Sequence, residues 1–132
     1  ALARWCQGRS EFVQVLHPAL AGSPGHAHWA ALCARGEPER PGRAAGLFSV
    51  VIDPRYTQAQ VDAFCDALRL FKLGYSWGGP MSLVVPYELA QMRTQWPAHL
   101  QRGTLVRFSA GLEDAGDLQA EHDRELDPQL ET

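Results

Sequence analysis

Lysine is almost missing from this chain: Lys72 is the single one in 132 residues. An enzyme that works through a Schiff base on lysine would have only that residue to use. Cysteine is sparse as well. Cys6, Cys33 and Cys65 form an odd, widely spaced set, which argues for free thiols in a reducing compartment and against a disulfide framework. The cytoplasm is the expected location. No apolar run is long enough to span a bilayer, and the first residues lack the basic, apolar, small-residue order of a secretion signal. Basic charge is not in excess, since 12 Lys and Arg face 15 Asp and Glu for a formal charge of −3. With no basic stripe either, nucleic acid and anionic membrane are not expected partners.

What remains is an ordinary globular composition, 45% apolar and 20% charged, in a chain long enough to bury a core. Residues 1–45 read as an N-terminal arm. It holds a helix tail with Leu2, Trp5 and Cys6 at helical spacing, a β-prone run Phe12–Leu16 stopped by His17-Pro18, and a turn-rich loop 21–29 entering a short helix. The stretch Gly36–Ala45, rich in Gly, Pro and alternating charge, is expected to be an exposed connection. Residues 46–132 read as the compact unit. Leu47–Ile52 is an apolar strand closed by Asp53-Pro54. Thr57 and Gln60 have the spacing of a capping box. Behind them Val61, Phe64, Cys65, Leu68 and Phe71 share one helical face, with Gly74 expected as the left-handed cap. A strand before Pro86, a helical piece near 90–94, a strand over 104–109 and a polar helix opening at Asp114 and Asp117 complete the order. That helix is expected to turn Leu118, His122 and Leu126 inward and to leave its acidic residues, Glu121 among them, in water. The succession predicts an α+β layer, an antiparallel sheet with helices packed on one face.

Two stretches carry candidate chemistry. In Gly103–Asp114, alternation puts Arg107 on one face with Leu105 and Ser109, between apolar neighbours. A buried-side arginine needs an anion. It could be a substrate carboxylate held by the fork of the guanidinium, or a local group such as Glu113, or Arg107 could stand exposed on an edge strand. In Tyr75-Ser76-Trp77-Gly78-Gly79 the glycines allow close backbone approach to a ligand. Ser76 and Trp77 could equally be a loop hydroxyl and a packing indole, and Tyr75 reads as packing. His26 and His28 alternate, but without nearby Cys, Asp or Glu they are an incomplete zinc set, so no metal site is expected.

These two motifs, with His17-Pro18-Ala19-Leu20 and Ser23-Pro24-Gly25-His26, resemble the small C-terminal domain of cystathionine β-lyases in the pyridoxal-phosphate-dependent Cys/Met metabolism family. The resemblance extends from about Ala1 to Leu126. It implies a fold-type I homotetrameric parent enzyme that cleaves L-cystathionine by α,β-elimination. The substrate, a sulfur amino acid, would have its carboxylate docked by Arg107, with Ser76 and Trp77 shaping the same pocket. Related γ-lyases and γ-synthases usually carry leucine where Trp77 stands. The family's lysine lies in a Ser/Thr-rich motif of a large domain that this chain lacks. Lys72 matches no such motif and reads as structural. The pyridoxal phosphate site would therefore lie outside these residues, with neither catalytic nor cofactor-binding residues expected among them, and the chain would be inactive alone. Two alternatives stand beside this reading: the small domain of a γ-lyase or cysteine-S-conjugate lyase, and a free-standing, non-enzymatic α+β module that binds a carboxylate or a protein.

Overall fold

The computed structural model describes residues 1–34 and 43–130. Residues 36–42 of the expected exposed connection lie outside that range. The elements run α1 (Leu2–Gln7), β1 (Phe12–Leu16), α2 (His26–Cys33), β2 (Leu47–Ile52), α3 (Gln58–Ala67), β3 (Lys72–Leu73), β4 (Leu83–Tyr87), α4 (Leu89–Met92), β5 (Thr104–Ser109) and α5 (Ala115–Leu130). The five strands form one sheet in the order β1-β2-β5-β4-β3. Its pairs are antiparallel except β3 with β4, which is parallel and only two residues long. The α+β architecture read from the sequence is the one observed.

Alternation along the central strands decides which face is dry. Phe48, Val50 and Ile52 of β2, Val84 of β4, and Val106 and Phe108 of β5 point to the helices, where they join Val61, Phe64, Leu118, Leu126 and Leu130 in one buried cluster. Each fully buried side chain of this size contributes about 1.5–3 kcal/mol. Leu2, Cys6, Phe12, Val15 and Leu20 belong to the same cluster. Residues 1–20 thus supply an edge strand and core side chains to the unit at 46–130, and do not stand off from it as an arm. Arg9 fastens this segment to α5 through Asp123 at 2.9 Å and Asp127 at 3.2 Å, while its own Glu11 lies at 3.0 Å.

The opposite face is covered in part by the chain between α4 and β5. Gln14, paired with Val51 across the β1–β2 ladder, donates to His99 O at 2.9 Å and accepts from Gln101 N at 2.8 Å. One side-chain amide thereby satisfies two backbone groups of an otherwise irregular segment. Pro86 is tolerated inside β4 because β3 ends before reaching it: the pairs stop at Leu73↔Val84, so the missing N–H faces no strand.

Two expectations are corrected. The helix at 58 starts as predicted, with the Thr57–Gln60 box formed in both directions, but it ends at Ala67, not Gly74. Leu68 is already extended, and Gly74 is not among the glycines with positive φ. Phe71 stays fully buried although it follows the helix. The cause is the second correction. Glu121 is 1% exposed, not solvated, and its carboxylate accepts the backbone N–H groups of Arg69, of Leu70 at 2.7 Å and of Phe71 at 3.3 Å. The N–H groups are thus satisfied outside a helix, and a charge-assisted set of this kind outweighs another helical turn.

Candidate functional site

β5 is the middle strand of the sheet, and its non-helical face carries Leu105, Arg107 and Ser109. Arg107 lies opposite Ser49 on β2 and Val85 on β4, at a half-buried position. The loop between β3 and β4 runs alongside the end of β5, its contacts advancing in step with the strand. Arg107 Nη2 donates to Tyr75 O at 2.6 Å and to Ser76 O at 3.3 Å. Its guanidinium carbon lies 5.4 Å from the centroid of the Trp77 ring, within cation–π range. Two residues on, Ser109 Oγ accepts the Gly78 N–H at 3.1 Å. Leu112 N then donates to Pro80 O at 2.9 Å.

The base of the loop is locked by a polar cluster. Buried Ser82 donates its hydroxyl to Glu113 at 2.6 Å, and its oxygen accepts the Gly111 N–H at 2.8 Å. The Ser82 hydroxyl holds the Glu113 carboxyl below its ordinary pKa, with smaller help from backbone N–H groups against the opposing effect of burial. Glu113 is therefore committed to Ser82 and is not the partner of Arg107. Among the described residues no carboxylate lies within ion-pair reach of Arg107.

The structure thus brings Arg107 and the Ser76-Trp77 loop together. Ser76 contributes its carbonyl and exposes its side chain, and Trp77 is 61% exposed. Ser109, Ser82 and Glu113 complete the arrangement and were not singled out from sequence as loop anchors. For Ser109 a signal existed, since it shares a face with Arg107 by alternation. Lys72 is exposed on β3, at the edge of the sheet. His26 is engaged within the fold: its Nδ1 donates to Pro18 O at 2.8 Å and its ring stacks on Trp29. Among the described residues no three His, Cys, Asp or Glu are grouped to hold a metal. A shallow cavity of about 200 Å³ at the other end of β5, lined by Tyr87, Trp96, Gly103 and Thr104 among others, includes none of the site residues.

Comparison with known proteins settles the family. The Cys/Met metabolism PLP-dependent enzyme family matches residues 1–127. The chain belongs to that family. It is 37% identical over 123 residues to a cystathionine β-lyase of Salmonella typhimurium, covering 91% of this chain and 29% of that protein. To a cystathionine β-lyase of Escherichia coli K12 it is 35% identical over 125 residues, with coverages of 92% and 29%. A solved structure of cystathionine γ-synthase from Xanthomonas oryzae, in complex with aminoacrylate and cysteine, superposes with a TM-score of 0.67 at 31% identity, over 94% of this chain and 30% of that one. The chain therefore spans under a third of the length of these relatives. No helix among the described residues is long and apolar enough to cross a membrane.

Proposed function

We propose that these residues form the substrate-carboxylate half of a cystathionine β-lyase-like active site within a longer protein. The observation that carries the reading is Arg107. A guanidinium has five N–H donors. Here, among the described residues, Nη2 alone meets acceptors, both of them neutral carbonyls, and Trp77 covers a ring-sized face. A carboxylate supplies the missing counter-charge in the geometry the fork favours. Docking it would fix the substrate's orientation, which is this chain's contribution to rate.

The reaction proposed for the intact protein is α,β-elimination of L-cystathionine to homocysteine, pyruvate and ammonia. Pyridoxal phosphate, when bound, supplies the electron sink for that chemistry. The residues present do not fit it: the single lysine is solvent-exposed on a sheet edge, away from Arg107's strand. The cofactor would belong to the large domain of the longer protein, a homotetramer by family resemblance, with the cytoplasm as its compartment. Tyr75, Trp77 and Met81 on the loop, and Leu112 bonded to it, are exposed large apolar groups, a surface suited to cover by that domain.

The test is Arg107→Ala in the intact protein. KM for cystathionine rises by a hundredfold or more, on the order of the 3–5 kcal/mol that a lost buried ion pair costs, while the bound cofactor's absorbance is unchanged. An unaltered KM defeats the reading. So does cystathionine turnover by residues 1–132 alone with Lys72 labelled on borohydride reduction.

A further inference from the structure

Arg107 and Ser109 present their side chains on one face of β5, two residues apart, about 7 Å along the strand. The loop rests on the strand at both points. At the first, Arg107 itself makes the contacts, to Tyr75 O and Ser76 O. At the second, the Ser109 hydroxyl, 1% exposed, accepts the Gly78 N–H. Gly78 holds φ at 75°, a backbone region costly for any residue with a side chain, and that conformation belongs to the loop that meets Ser109.

We infer that Ser109 is a positioning residue for the Arg107 clamp, holding the loop so that the guanidinium is held by the loop and does not itself have to hold it. The inference rests on the reading of Arg107 as the carboxylate dock and adds a group to it. Without the Ser109 contact, the loop tip would be tethered by the very guanidinium that must receive substrate. The Tyr75 and Ser76 carbonyls and the Trp77 ring would then follow Arg107 as it moves. A binding group is only as well placed as the shell that supports it. Ser109 does not touch the substrate in this scheme; its partner is backbone.

In the intact protein, Ser109→Ala raises KM for cystathionine about five- to tenfold, the worth of one hydrogen bond, with little change in kcat. Hydrogen–deuterium exchange over residues 75–79 speeds up in the same variant. Ser109→Thr, which keeps a hydroxyl oxygen, restores both. Gly78→Ala attacks the contact from the loop side, where an added Cβ meets nothing within 4 Å, and it reproduces the KM rise even if Ser109→Ala fails to fold. Wild-type KM and exchange in Ser109→Ala, or wild-type KM in Gly78→Ala, overturns the inference. Arg107→Ala run in parallel separates the two levels. If it too leaves KM unchanged, the carboxylate reading has failed; if it alone raises KM, only the role of Ser109 has.

Discussion

The imidazole of His122 lies 4.7 Å from the ring of Phe108, centroid to centroid, where α5 meets the middle strand. Phe71, Phe64 and Trp5 close the cage at 5.1, 5.8 and 6.0 Å. Nδ1 faces the Leu118 carbonyl at 2.9 Å, so it carries the proton, and Nε2 has no hydrogen-bond partner among the described residues. Burial pushes the pKa down to about 4, against smaller opposing effects of the Leu118 bond and the Glu121 charge. The folded state thus binds this proton more weakly than the unfolded chain, whose histidine titrates near 6.5. Stability is full above about pH 6.5 and falls as pH drops toward about 4. Urea unfolding is expected to show a loss of about 2 kcal/mol between pH 7 and pH 5. His122→Leu removes that slope, and an unchanged slope refutes the assignment.

Glu121 is expected to be the most sensitive charged position for stability. Glu121→Ala leaves the N–H groups of Arg69, Leu70 and Phe71 without their acceptor, which costs on the order of 3–5 kcal/mol. Glu121→Gln keeps one acceptor oxygen and falls between the two. Denaturant midpoints at pH 7 check the order: wild type, then Gln, then Ala.

This contact also marks where sequence reading stops. The start of α3 was legible because the Thr57–Gln60 box is local, three residues wide. Its end was not, because the group that replaces the next helical turn sits some fifty residues away and looks, among Asp117, Asp123 and Asp127, like one more solvated acid. Phe71 kept its helical phase by coincidence and is buried from a turn. The site divides in the same way. Arg107 and the Ser76-Trp77 loop stood out as residue types in a pattern, whereas the Gly78–Ser109 and Ser82–Glu113 bonds depend on the path of the loop over β5, which no spacing encodes.

Gly111 is expected to tolerate no side chain. A Cβ there would overlap the Pro80 carbonyl oxygen and carbon, both backbone atoms that cannot swing aside. Pro80 is the point where the loop bonds to Leu112, so relief comes only by lifting the loop from the strand. Gly111→Ala is expected to cost about 1–3 kcal/mol, the range for overpacking. It also raises KM for cystathionine in the intact protein. Gly79→Ala, with open space around the added carbon, is the control and stays near wild type in melting temperature.

Trp77 is where substrate class is expected to be decided. Its indole is largely exposed, yet it lies over the Arg107 guanidinium, so it borders whatever the guanidinium holds. Leucine at this position would leave the cation without a π face and open space beside it. Cystathionine offers two bonds to break: β-elimination yields pyruvate, γ-elimination yields 2-oxobutyrate. A flat indole restricts how the far end of the substrate can lie once its carboxylate is docked, and an aliphatic side chain restricts it less. Trp77→Leu in the intact protein is therefore expected to lower the ratio of pyruvate to 2-oxobutyrate formed from the same cystathionine, at near-wild-type stability. An unchanged ratio would place the selection in residues other than Trp77, and would leave Trp77 as a support for Arg107 alone.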